Sequence, residues 1–184
     1  MRSFVAIDFE RDVKEALVSL QKEIKMHTLS GRWKHEDNFH LTLKFLGEVE
    51  TNKIKQIDDR LLKACSKFEA FSLCFSHLGC FQGQEFIRVL WLGLTGDTNA
   101  LQVLQKTIEI ELEDLGFASE KRDYTPHVTI AQDVVLTEDF ENIKDLIKLY
   151  KIPKIQVKSV YLFKSEQKGP KRIYTPISEY KLVH

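Results

Sequence analysis

Two histidines define the chemistry open to this 184-residue chain. His40 stands in the run Phe39-His40-Leu41-Thr42-Leu43-Lys44-Phe45-Leu46-Gly47, and His127 in His127-Val128-Thr129-Ile130. Each is followed by an apolar residue, a threonine and a second apolar residue. That alternation has the period of a half-buried strand, so imidazole and hydroxyl share one face while the aliphatic pair shares the other. An imidazole with a pKa near 6.5 can give or take a proton at neutral pH. Two of them facing each other across a cleft suit displacement at phosphorus: a neutral ring activates the incoming oxygen and a protonated ring protonates the departing one. The threonine hydroxyls can donate to the phosphoryl oxygens, where charge accumulates.

A metal is the rival use of two histidines. Catalytic zinc usually takes three protein ligands, and near the motifs only Glu48, Asp123 and Asp133 offer a carboxylate. Glu48 and Asp133 fall at strand ends, so neither a metal nor another cofactor is expected.

The 27 basic and 27 acidic residues cancel. No uniformly positive surface advertises long nucleic acid or an anionic membrane; a small anion in a local pocket is compatible. Cys65, Cys74 and Cys80 are odd in number and lack paired CxxC spacing, which argues against a disulfide framework or a structural zinc and fits a reducing cytoplasm. Asp8 interrupts the first apolar run, and no stretch approaches the roughly 18 apolar residues of a membrane helix. A soluble, unprocessed, cytoplasmic monomer is expected.

The elements that must position the histidines follow from periodicity. A strand over 4–9 leads to a helix with Val13, Ala16, Leu17, Leu20 and Ile24 on one face. A loop over 27–38, anchored by Trp33, enters the first histidine strand, which Gly47 closes. Thr51-Asn52 is an N-cap signal for a helix reaching about residue 66. A strand over 71–76 breaks at 79–83, and 86–94 reads as a buried central strand. A helix from Asp97 or Thr98 stops at Gly116, and a loop over 118–126 enters the second histidine strand. Then come a helix over 140–150, a strand over 155–163, a basic loop over 164–172 and a final strand over 174–183. Each half therefore reads strand, helix, histidine strand, helix, strand, and the helix before each motif shares a Leu-Gln-Lys, at 20–22 and 104–106. This pattern predicts an internal duplication with its boundary near 80–86 and no linker: one domain over 1–184, made of two interlocked pseudo-symmetric lobes.

The runs Arg2-Ser3-Phe4-Val5-Ala6-Ile7-Asp8, Arg32-Trp33-Lys34, Asn38 to Val49, and Tyr124-Thr125-Pro126-His127-Val128-Thr129-Ile130-Ala131 resemble the 2H phosphoesterase superfamily, and within it the RNA 2′,3′-cyclic phosphodiesterases, formerly called 2′-5′ RNA ligases. The resemblance extends to Val89-Leu90-Trp91-Leu92-Gly93 and Gly169-Pro170, nearly the whole chain. It implies a bilobal α+β fold in which two antiparallel sheets flank a central cleft with helices outside. It implies hydrolysis of the 2′,3′-cyclic phosphate of an RNA end or nucleotide to a 2′-phosphomonoester, without metal. On that pattern His40 is the proton donor to the 3′-oxygen, His127 the proton acceptor from water, and Thr42 and Thr129 hold the phosphate. The duplication alone does not say which histidine is acid and which is base.

The chain departs from that pattern at Gln132, where much of the family carries an arginine on the phosphate. Gln132 donates a hydrogen bond but no charge, so either activity is lower or another cation substitutes. Arg122 and the basic run Lys164, Lys168, Lys171 and Arg172 are the candidates; a solvated cluster is the alternative for the run. Alternation puts Lys44 on the His40 face, in reach of a substrate phosphate. Phe45 either stacks on a terminal base, as the resemblance implies, or points into the core, as strict alternation implies. Trp33 and Trp91 are expected as core anchors. Other substrates, such as 2′-5′ linked oligonucleotides or ADP-ribose cyclic phosphate, suit the same chemistry. A non-catalytic module that binds RNA ends is the reading from another class, supported by the missing arginine and opposed by the two intact motifs.

Overall fold

The computed structural model describes residues 1–183, and its two antiparallel sheets each draw strands from both halves of the chain. One sheet has the order β3-β1-β8-β9, with β1 (Arg2–Asp8), β3 (His40–Glu48), β8 (Ser159–Lys168) and β9 (Lys171–Lys181). The other has the order β2-β6-β5-β4-β7, with β2 (Thr28–Trp33), β4 (Phe71–Gln82), β5 (Ile87–Gly96), β6 (His127–Leu136) and β7 (Ile155–Val157). Helices α1 (Arg11–Lys25), α2 (Ile54–Cys65), α3 (Thr98–Glu113) and the short α4 (Phe140–Ile143) complete the α+β architecture.

The apolar stripes of the helices account for their placement. Leu17, Leu20 and Ile24 of α1, Ile57 and Leu61 of α2, and Leu101, Leu104 and Ile108 of α3 join one core with Leu41, Leu43, Leu90, Leu92, Val128 and Ile130 of the sheets. One face of each histidine strand is thus covered, and the face carrying histidine and threonine is left half-open. Among the described residues no helix is long and apolar enough to cross a membrane.

Both histidine strands depart from strict alternation at the same place. On β3, Thr42 pairs with Ala6 and Lys44 with Val5, which leaves Leu43 as an extra residue. On β6, Thr129 pairs with Trp91 and Ala131 with Leu90, which leaves Ile130 extra. Each is a β-bulge three residues after its histidine, and it reverses the phase of everything beyond it. Leu43 and Lys44 are consecutively buried, as are Ile130 and Ala131. Phe45 emerges 71% exposed, and Gln132 returns half-buried to the histidine side.

A bulge disturbs the ladder around it, and a buried glutamine braces the carbonyl of each bulged residue here. Gln21 of α1 donates to the Ile130 carbonyl at 2.8 Å and to that of Lys34 at 3.0 Å. Gln105 of α3 donates to the Leu43 carbonyl at 3.3 Å. These are the glutamines of the repeated Leu-Gln-Lys, and each reaches the bulge of the other half's histidine strand.

Lys44 is corrected by the same bulge. It is buried, ion-paired with Glu109 of α3, and donates to the Ala118 carbonyl at 2.9 Å, so it holds β3 to α3 and does not share the His40 face. Other boundaries also differ from periodicity. The loop over 27–38 contains β2, an edge strand whose pairing with β6 (Arg32 with Gln132, Trp33 with Ala131) is invisible to a pattern with little apolar alternation. The first turn after Glu50 is a 3-10 turn, Thr51–Lys53, without a side-chain cap, and α2 starts at Ile54. β4 runs on through Gly79 to Gln82. The helix over 140–150 breaks into α4 and a 3-10 turn, Leu146–Leu149. The basic loop is a hairpin: β8 and β9 pair up to Lys168 and Lys171, and Gly169 turns the chain with φ of +59°. Trp33 packs against the core, but Trp91 lies on the opposite face of its sheet.

Replacing Lys44 by methionine strands the Glu109 carboxylate in the interior and should cost about 3–5 kcal/mol of stability in urea unfolding; the double variant Lys44→Met/Glu109→Leu should recover most of it. Gln105→Leu should cost about 1–3 kcal/mol by orphaning the Leu43 carbonyl.

Candidate active site

His40 and His127 each open their strand, and each is oriented by the same backbone contact. His40 Nδ1 lies 2.8 Å from the Asn38 carbonyl and His127 Nδ1 lies 2.8 Å from the Thr125 carbonyl. A carbonyl only accepts, so Nδ1 carries the proton in both neutral rings and Nε2 is left unprotonated. Thr42 Oγ1 is 3.1 Å from His40 Nε2 and donates to it while the ring is neutral. The strands β3 and β6 meet although they belong to different sheets. Tyr124, three residues before His127, ties the join by donating to the Thr42 carbonyl at 2.9 Å.

The two rings sit in different walls. His40 packs on Phe4 at 4.8 Å between centroids and edge-on to Tyr174 at 5.1 Å. Phe4 in turn stacks on Phe163 at 5.2 Å and lies 6.1 Å from the exposed Phe45. His127 meets Phe81 edge-on at 5.3 Å and Trp91 at 6.0 Å. Burial pushes His40 down to about 4; the hydrogen bond to Asn38 opposes this, and positive charge at Lys34 adds to it. Asp8 lies opposite His40 in register, but its carboxylate is taken by Lys14 at 2.7 Å and the Phe9 N–H at 2.8 Å.

The positive charge around the motifs comes from places that periodicity does not mark. Lys34 follows β2, its N–H bonded to the Ile130 carbonyl at 3.0 Å, and its side chain is half-buried. Burial lowers the Lys34 ammonium, and Arg32 and Arg172 push it the same way. Arg32 is held by Asp133, whose backbone has φ of +52°. Arg172 belongs to the basic run, and its carbonyl accepts from Asn38 Nδ2 at 2.8 Å, which fastens β9 to the turn before His40. Of the other expected cations, Lys164 pairs with Glu166 at 2.8 Å, Lys168 and Lys171 stand at the hairpin tip, and Arg122 is exposed in the loop before His127. Lys34, Phe4, Tyr174 and Phe81 were not singled out from sequence. The runs over 32–34 and 2–8 hinted at Lys34 and Phe4 alone.

Among the described residues no three His, Cys, Asp or Glu side chains gather as metal ligands would. The low pKa of His40 carries a consequence for stability. The unfolded chain binds this proton at about 6.5 and the folded chain only at about 4, so stability is full above pH 6.5 and falls by up to about 3 kcal/mol as pH drops through that window. Urea midpoints at pH 7 and pH 4.5 should therefore differ less for His40→Gln than for the native protein.

Comparison with known proteins agrees with this geometry. The model of the LigT like Phosphoesterase family matches the chain twice, over residues 7–91 and 92–174. The RNA 2′,3′-cyclic phosphodiesterase of Methanocaldococcus jannaschii is 33% identical over 183 residues, 98% of this chain and 100% of the relative. That of Thermotoga maritima is 33% identical over 157 residues, 85% of this chain and 81% of the relative. Escherichia coli LigT complexed with 3′-AMP superposes with a TM-score of 0.80 at 25% identity, covering 100% of this chain and 98% of that one. TT0787 of Thermus thermophilus shares the fold with a TM-score of 0.78 at 20% identity, over 99% of this chain and 98% of that one. One histidine strand falls within each matched span, and the chain belongs to the LigT-like phosphoesterase family.

Proposed function

We propose that this protein hydrolyses the 2′,3′-cyclic phosphate of an RNA end or nucleotide to a 2′-phosphomonoester, with His40 and His127 as the proton-transfer pair and no metal ion. The observation that carries this reading is the meeting of two His-x-Thr strands whose rings are both locked through Nδ1, leaving two Nε2 atoms as working groups. The relatives named for this activity support the substrate.

Water attacks phosphorus and loses its proton to Nε2 of His127. The bond from phosphorus to the 3′-oxygen breaks, and that oxygen takes a proton from Nε2 of His40. Thr42 and Thr129 donate to the equatorial oxygens. Burial leaves His40 neutral in the free protein at pH 7. A phosphate anion changes this in two ways: it favours imidazolium directly, and it offsets the repulsion from Lys34. Once charged, a ring whose environment prefers it neutral is a ready donor. Lys34 and Arg172 supply the charge that Gln132 lacks, and the exposed Phe45 is placed to stack on the terminal base.

With EDTA present, a short RNA ending in a 2′,3′-cyclic phosphate should be converted to the 2′-phosphate; a 3′-phosphate product, or activity lost on chelation, overturns the mechanism. His40→Ala and His127→Ala should each lower kcat by about 10² to 10⁴. Lys34→Met should raise KM for the cyclic phosphate and weaken inhibition by inorganic phosphate, while Lys34→Arg keeps both near native values.

A further inference from the structure

On the histidine side of the larger sheet an aromatic surface continues outward from His127. In register, His127 lies beside Gly93, Thr129 beside Trp91, and Trp91 beside Gly79. The alternating positions of β4 on this face are His77, Gly79 and Phe81, whereas Leu78, Leu90, Leu92 and Val128 face the core. Phe81 and Trp91 are 5.3 Å apart between centroids, and His77 and Trp91 are 5.4 Å apart.

Two glycines lay these rings against the sheet. A Cβ at Gly79 would collide with the six-membered ring of Trp91, and a Cβ at Gly93 would collide with the imidazole of His77. Each missing side chain is replaced by a ring from the neighbouring strand, and with His77 edge-on to Trp91 and Phe81 tilted 41° to it the surface is an uneven aromatic floor. His77 is exposed, Phe81 and Trp91 are partly so, and none of the three joins a core cluster. The Trp91 indole N–H is buried without an acceptor. A core that only needed filling would not keep that donor, so the ring is held here for its position.

We infer that this floor of His77, Phe81 and Trp91 is a second nucleobase site. It takes the base of the nucleotide next to the one carrying the reacting phosphate. The inference rests on the proposed function for the position of that phosphate between the two histidines. Phe45 and Phe4 belong to the other sheet, on the His40 side, so the phosphate lies between two separate aromatic surfaces. Aromatic rings stack on any base through its π face, and the floor offers ring faces in place of a hydrogen-bonding edge. It therefore distinguishes an oligonucleotide end from a mononucleotide with little regard to base identity.

The test is equilibrium binding, which needs no turnover. In Trp33→Phe protein, Trp91 is the remaining one of two tryptophans. A dinucleotide ending in a 2′-phosphate should quench its fluorescence and bind about tenfold tighter than the mononucleotide 2′-phosphate. Phe81→Ala and His77→Ala should remove most of that advantage, and His77→Phe should keep it. Equal affinities for the two ligands, or an advantage that survives both alanine variants, would overturn the second site. A tenfold preference in a protein that hydrolyses neither cyclic phosphate would sink the hydrolytic reading and leave the site standing. Turnover of both with equal KM would do the reverse.

Discussion

A glutamine side chain reaching from a helix of one half of the chain to the bulge of the other half's histidine strand is the contact on which the site depends. A bulge orders one residue outside the ladder, and its buried carbonyl needs a donor. Gln105 provides that donor from α3, and Gln21 of α1 adds a second donor to an Ile130 carbonyl that also accepts from the Lys34 N–H, so each histidine strand is braced by a helix of the other half. The phase reversal that follows is what brings Phe45 and Gln132 to the histidine side and sends Lys44 inward to Glu109. Without the bulge, the fifth residue after each histidine would lie in the core.

The second constraint is electrostatic. Arg32 and Arg172 raise the cost of the Lys34 charge, Lys34 raises that of His40, and two nearby carboxylates are already engaged, Asp8 with Lys14 and Asp133 with Arg32. Burial is the larger reason that His40 is held neutral, and the charge of Lys34 adds to it. A bound phosphate lowers the cost of every positive charge around it, so in the proposed mechanism anion binding and protonation of His40 favour each other.

The repeated motif, the three long helices and the central position of β5 were legible because each follows from hydrophobic period or composition. Even the Leu-Gln-Lys repeat was visible, although its purpose was not, since a bulge leaves no compositional mark. One inserted residue reversed the reading of Lys44 and removed the core reading of Phe45. β2 escaped because an edge strand with exposed Leu29 and a central Gly31 has little alternation to detect. Trp91 read as a core anchor because a large aromatic in a β-rich run usually is one; the two glycines that lay rings on the open face act across strands, and their partners are set by register alone.

The two histidine strands share a motif and a bulge, and their surroundings make them unequal. Both histidines are fixed by the same carbonyl contact, so the motif itself carries no distinction between acid and base. The distinction enters through the walls. Phe4 and Tyr174 bury His40 and leave its proton weakly held, while His127 opens onto Phe81, Trp91 and the strand edge beyond them. A reaction that needs one proton taken and one given can therefore arise from a symmetric scaffold by altering packing around the rings, leaving the rings and their orienting hydrogen bonds alone. On the proposed reading the same walls serve specificity, because they are aromatic and present faces on which bases can stack.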